Sequence, residues 1–256
     1  MEYLIVCPLV FLAGFIDAIA GGGGLISLPA YLIAGLPPHS AIGTNKFSAC
    51  LGTTVATWHY ARCGFIKWRQ VAPAVVMALA GSALGARLAL MVDSEIFKVI
   101  MLVVLPLTAC YVLRRRDLGG DRTPFSTSKT SLIASTLALL IGIYDGFYGP
   151  GTGTFLIIAF TTLAQFPLAR ANAHAKVINL TTNLTSLAVF LTGGQVVFLL
   201  GLAGAACNMA GNFLGAELAV KRGAAVTKPV ILIVLGLLAL IRCLMRQLLQ
   251  LCQKTA

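Results

Sequence analysis

Lys46 and Lys176 are the residues of this sequence whose type and setting most invite chemistry. Each follows a short polar patch, Gly43-Thr44-Asn45 and Asn172-Ala173-His174, and each opens an otherwise uncharged apolar run. A lysine at hydrocarbon depth is costly, and such residues mark substrate or ion pathways by default. The bland alternative is that both snorkel to the interface. Two acids accompany them. Asp17 and Asp145 each stand four residues before a glycine-rich break, Gly21-Gly22-Gly23-Gly24 in one case and Gly149-Pro150-Gly151-Thr152-Gly153 in the other. The acids can pair with the lysines, accept a proton for coupling or gating, or cap exposed amides. Lysines facing one spot from two sides, beside backbone amides freed by broken helices, would make a site for a small anion. Glycines that merely let helices pack closely are the competing explanation for the breaks.

These residues need a scaffold that keeps them from water, and composition supplies one. Of 256 residues, 11% are charged, against about 25% in an ordinary soluble domain. Mean hydropathy is +0.91. The stretches 72–86, 99–113, 131–144 and 177–216 carry no charge. Runs of about 20 apolar residues match the thickness of a bilayer at the rise of an α-helix. The expected fold class is therefore an all-α polytopic membrane protein. The net charge of +11 would suggest nucleic acid in a soluble chain. Here the basic residues gather between apolar runs, around Arg62, Lys67 and Arg69, in Arg114 through Lys129, and around Lys221, Arg222 and Lys228, as cytoplasmic loops do. No nucleic acid is expected; the bilayer is the partner.

The chain also resembles itself. Gly14-x-x-Asp17-x-x-x-Gly21-x-Gly23 returns as Gly142-x-x-Asp145-x-x-x-Gly149-x-Gly151, and Gly81 through Ala89 returns as Gly211 through Ala219 with six of nine positions identical. Ala41 meets Ala171, Lys46 meets Lys176 and Gly64 meets Gly194. The expected organisation is two homologous repeats, 1–113 and 131–256, joined by a cytoplasmic linker at 114–130. The segment around Asp17 has a counterpart deep in the chain, which argues against a cleaved signal peptide.

Within a repeat, 4–20 is apolar, the glycines stop it, and 25–36 is too short to span. A broken or re-entrant helix pair fits, followed by about three transmembrane helices, at 40–61, 70–91 and 95–113. The second repeat gives 131–148, a break, 154–165, then 171–192, 196–219 and 226–250. If each broken pair returns to its own side, the repeats are inverted, a common plan in secondary transporters. If it crosses, they are parallel. Counting Lys and Arg does not separate the two, but the uncharged turn at Gly193-Gly194 favours inversion.

Catalytic patterns are missing. No Gly-Lys-Ser/Thr follows Gly24, so the glycines are not a phosphate loop, and His39, His59 and His174 lack ligand spacing. The seven cysteines form no C-x-x-C pair and read as small packing residues. No metal, no cofactor and no enzyme activity are expected. Arg87 and Glu217, at equivalent span ends, read as interface anchors. Asn179, Thr182 and Asn183, with Thr53 and Thr54, are polar within apolar spans and serve as interhelical glue or as substrate contacts.

The run Gly14-Phe-Ile-Asp17-Ala-Ile-Ala-Gly21-Gly-Gly-Gly24, then Pro29, then Ala41-Ile-Gly-Thr-Asn45-Lys46, resembles the TauE/SafE sulfite exporter family of membrane permeases. The second copy, Gly142 through Gly153 with Ala171 to Lys176, resembles that family's second half. The resemblance implies transport of sulfite, sulfonates or related sulfur-containing and organic anions across an inner membrane. It implies binding by Gly21, Gly22, Gly23, Gly24, Asn45, Lys46, Gly149, Gly151, Thr152, Gly153 and Lys176, with Asp17 and Asp145 in coupling or gating. Ala175 stands where the first repeat has Asn45, a departure from symmetry. An anion channel is the alternative, and a membrane-embedded enzyme or assembly factor a third reading. A proton or other coupling ion is a further expected partner. The direction of transport and the oligomeric state, a homodimer included, stay open.

Overall fold

The computed structural model describes residues 2–97, 99–100, 103–104, 125–223, 225–226 and 229–230. Eight helices have both ends among the described residues, further helical positions fall at 94–97 and beyond, and no strand occurs among the described residues. They are α1 (Glu2–Ala20), α2 (Gly24–Ile33), α3 (Pro38–Arg62), α4 (Trp68–Met91), α5 (Thr127–Phe147), α6 (Thr152–Thr162), α7 (Leu168–Thr192) and α8 (Phe198–Arg222). The expected spans 95–113 and 226–250, and the linker up to position 124, lie wholly or largely outside the described residues. Helix α5 begins at Thr127, four residues before the expected start at 131, with Lys129 folded over the Phe125 ring at 4.1 Å. Polarity marked 127–130 as linker, yet nothing there breaks a helix.

The order of long, short, long and long helices occurs twice. Helices α3 and α7 are both 25 residues long, and each is preceded by a proline at its N-cap, Pro37 and Pro167. Helices α1, α4, α5 and α8 are long and apolar enough to cross a membrane. Helices α3 and α7 have the length but are more polar, and they bury that polarity. Thr44, Asn45, Lys46, Ser48, Thr53 and Thr57 are buried on α3; Asn172, His174, Lys176, Asn179, Thr182, Asn183 and Ser186 are buried on α7. Polar side chains in a membrane bundle turn inward because lipid offers them no partner. Large apolar side chains on α4 and α8 face outward instead, among them Leu84, Leu88, Leu202 and Leu214. Trp58 and Trp68 are also exposed, with the Arg62 guanidinium 4.7 Å over the Trp58 ring, an arrangement suited to the membrane–water boundary.

Small residues let the long helices touch backbone to backbone, the usual basis of helix association in lipid. A side chain at Gly85 would collide with the Ile143 carbonyl, and one at Gly211 with the Phe11 carbonyl. The contacts also give directions. Along α1 and α8, Val10 meets Asn208 and Phe15 meets Gly215. Along α3 and α8, Thr44 meets Val197, Gly52 meets Asn208 and His59 meets Phe213. Both pairs run parallel. So do α4 and α7, where Lys67 meets His174, Ser82 meets Ser186 and Leu90 meets Gly193. Helices α4 and α5 do likewise, where Gly81 meets Leu139 and Gly85 meets Phe147. Helices α3 and α7 run antiparallel, since Gly43 lies by Phe190, Lys46 by Asn183 and Thr57 by Lys176. The short helix α2 folds back along α1, and Leu28 and Tyr31 join Val6 and Val10 in one apolar cluster.

Candidate functional site

The two glycine breaks meet inside the bundle. Gly21 ends α1 with φ +78°, and Gly151 precedes α6 with φ +86°, both in the left-handed region that glycine enters at little cost. The Thr154 amide donates to the Gly21 carbonyl at 3.1 Å. A side chain at Gly21 would overlap the Gly153 backbone. Two chain reversals thus press directly on one another.

A broken helix end leaves carbonyls without intrahelical partners, and in a membrane each must be satisfied by protein. At the end of α1 every one of them is. Tyr60 donates to the Ala18 carbonyl at 3.0 Å, Asn172 to Ile19 at 2.9 Å and Thr154 Oγ1 to Ala20 at 2.9 Å. Lys176 donates to the Asp17 carbonyl and, at 2.8 Å, to Asp17 Oδ2. A cation at a helix C-terminus also complements its dipole. The far Asp17 oxygen, Oδ1, accepts the Gly23 amide at 3.4 Å.

The second acid–base pair is built differently. Lys46 Nζ lies 2.9 Å from Asp145 Oδ2 and donates to Asn183 Oδ1 at 3.2 Å. The approach to Asp145 is close enough for an ion pair but is not aligned as a hydrogen bond, so Oδ2 keeps an open lone pair. Asn45 Oδ1, also buried, has no hydrogen-bond partner. Each lysine therefore faces the acid of the other half, Lys46 with Asp145 and Lys176 with Asp17.

A cavity of about 30 Å³ lies at this junction. That is room for one or two waters. It is lined by Asp17, Gly21, Gly23, Gly24, Asn45, Lys46, Asp145, Gly149, Gly151, Thr152 and Gly153. Most of the expected site residues are thus brought to one place, and Thr53, Asn179 and Asn183 join them. Gly22 and Lys176 are not among the lining residues; Lys176 stands behind Asp17, wholly buried. Lys46 is the one Lys, Arg or His lining the cavity among the described residues. Several amides expected to point at an anion are already taken. Gly23 gives its amide to Asp17, Ile26 and Ser27 to the Gly23 carbonyl, and Thr154 to Gly21. The first three are satisfied within their own segment, and the last by packing the two breaks against each other.

Asn208, on α8, also lines the cavity, and its neighbour Asn212 donates to it at 2.8 Å. Sequence reasoning passed over Asn208; two amides, Asn208 and Asn212, one helical turn apart within the apolar 198–216 were the available signal. Helix ends occupy other candidates. His174 Nε2 accepts the Lys67 amide at 3.2 Å and stacks edge-on with Phe166, which caps the start of α4. Glu217 pairs with Lys221 on the surface at 2.6 Å. Among the described residues, no group of three His, Cys, Asp or Glu could hold a metal ion.

An all-helical bundle with lipid-facing apolar sides and a buried polar junction is a multi-pass membrane protein. The chain belongs to the sulfite exporter TauE/SafE family, whose family model matches residues 6–241. It is 41% identical to a probable membrane transporter protein of Sinorhizobium sp., over 88% of this chain and 85% of the other. It is 39% identical to one of Haemophilus influenzae, over 87% of each. It is 35% identical to the probable membrane transporter protein YfcA of Escherichia coli K12, over 87% of this chain and 82% of that one. No solved structure matches it. The protein is a membrane transporter of this family.

Proposed function

We propose that the chain is a secondary transporter of small anions, with sulfite, sulfonates or related sulfur-containing and organic anions as the substrate class, seated in an inner membrane. The observation that carries this is Lys46, a buried ammonium lining a small polar cavity where two helix breaks meet. Its ammonium has three donors; one goes to Asn183, and Asp145 balances its charge from 2.9 Å without an aligned hydrogen bond. Gly149 leaves that ammonium uncovered, since a side chain there would come within 3.0 Å of it. The side-chain amides of Asn45, Asn179, Asn183 and Asn208 line the same space.

The two halves would be inverted repeats. Supporting this, α3 and α7 hold matched positions yet run antiparallel, and α2 turns back beside α1 rather than crossing. Such halves can rock about a shared midplane site. An anion channel is less well supported, because a cavity with room for one or two waters is too narrow to pass an anion.

Flux into liposomes tests the function. Wild-type protein should carry sulfite or a sulfonate, and accumulate it when a gradient is applied, while Lys46→Ala inserts normally and carries none. Equal flux in the two proteins would sink the reading, and flux without accumulation under any gradient would replace the carrier with a channel.

A further inference from the structure

The two ion pairs have matched positions in the sequence but unlike surroundings. Lys176 is fixed by the Asp17 carbonyl and by Asp17 Oδ2, is wholly buried and does not line the cavity. Lys46 lines it, with one partner an amide and the other a carboxylate met off-axis. Asp145 Oδ2 keeps an acceptor lone pair, and Asn45, on the wall of the same cavity, keeps another.

Charge balance then decides what loading requires. Lys46 with Asp145 sums to zero, and so does Lys176 with Asp17. A monoanion entering this small space between buried residues brings an unbalanced negative charge into a water-poor interior, where unpaired charge is strongly disfavoured. The cavity is also too small for a sulfonate without some displacement. The group that competes with an incoming anion for the Lys46 ammonium is the Asp145 carboxylate.

We propose that Asp145 takes up a proton as the anion binds, so that anion and proton load together, with Lys46 as the single anion ligand of positive charge and Lys176 as a fixed clamp on the end of α1. This rests on the anion-transport reading above. The step balances: a solvent proton forms an O–H bond on Asp145, the ion pair to Lys46 is released, and the ammonium hydrogen-bonds an anion oxygen instead. The site goes from one positive and one negative charge to the same pair plus a neutral acid. The charged group that shares the cavity from α1 is Asp17, held by Lys176 from α7; α2, α6 and α8 contribute Ser27, Thr152 and Asn208, none of which titrates.

The test is calorimetric titration of the purified full chain with methanesulfonate, whose charge does not change over the working range, in two buffers of different ionisation enthalpy. Wild-type protein should take up about one proton per anion, and its Kd should weaken about tenfold per pH unit where the empty site is deprotonated. Asp145→Asn should bind with no proton uptake and a flat pH profile. Binding to wild-type protein without proton uptake, or unchanged uptake in Asp145→Asn, overturns the proposal while leaving anion transport standing. If Asp145→Asn does not fold, the proton count on wild-type protein alone decides. If neither methanesulfonate, sulfite nor acetate binds wild-type protein, anion transport and this proposal fall together.

Discussion

Lys46 Nζ lies 2.9 Å from Asp145 Oδ2, and the two residues come from different halves of the chain, one on α3 and the other at the close of α5. The reciprocal pair, Lys176 with Asp17, ties α7 to α1 at 2.8 Å. Neither half can complete its own charge balance, so the polar junction exists only when both are folded together.

Lys46→Met should weaken anion binding more than it weakens the fold. Truncating one partner of a buried, hydrogen-bonded charge typically costs about 2–5 kcal/mol of binding. Anion-dependent thermal stabilisation should vanish in this variant, and Asp145→Asn in the same chain should restore much of any lost stability by removing the stranded acid.

Lys176→Met should show the opposite balance. Removing one member of a buried pair leaves an uncompensated charge at a cost of about 3–5 kcal/mol. It also removes one of the two donors to the Asp17 carbonyl at the end of α1, leaving the Gly21 amide. Thermal unfolding in detergent should drop well below wild type, and Asp17→Asn should recover part of the loss. Unfolding at the wild-type temperature would mean that Lys176 is not a clamp.

Tyr60→Phe keeps the ring and deletes one hydroxyl. That hydroxyl donates to the Ala18 carbonyl and accepts from Asn172 Nδ2 at 2.8 Å. Leaving a buried carbonyl unsatisfied costs about 1–3 kcal/mol. The expected readout is a lowered unfolding temperature and faster amide exchange at 18–21.

Gly21→Ala should be among the most damaging small substitutions in the chain. The position has φ +78° and presses on Gly153. Strain of about 1–3 kcal/mol for the backbone adds to the collision with the other break. By contrast Gly35→Ala, also at positive φ but with nothing within 4 Å, meets only the backbone penalty. Comparing the two unfolding temperatures separates close approach from conformation.

Topology can be read from two turns. The inverted arrangement places the turn after α3, with exposed Cys63, and the turn after α7, with Gly193, on opposite membrane faces. With the other cysteines replaced, a membrane-impermeant thiol reagent should label Cys63 from the cytoplasmic side, and Gly193→Cys from the other side. Labelling of both from one side would make the halves parallel.

Much of this was legible without coordinates. Low charge and long apolar runs declare a membrane protein because the cost of burying charge in lipid acts on each segment separately. The breaks at Gly21 and Gly149 are visible because glycine is a local signal. The polar residues of α3 and α7 were visible too, since amides and lysines stand out in apolar surroundings. Asn208 was lost among the glycines and alanines of α8, where an amide resembles ordinary interhelical glue. The partners of the amides at the breaks were not visible, because Gly23 gives its amide to a side chain six residues back and Thr154 gives its own to the carbonyl of the other break.

The sequence by itself determined that the chain lives in a bilayer, where its helices stop, and which four ionisable residues must find shelter. Those properties follow from hydrophobicity and backbone freedom, which act over a few turns of chain. Only the tertiary structure decided that each lysine meets the other half's acid, and that Lys46 faces the cavity while Lys176 is sealed behind Asp17. Matched positions in a repeat share a sequence context but not a set of neighbours. In a low-dielectric interior it is the neighbours that set what a charge can do.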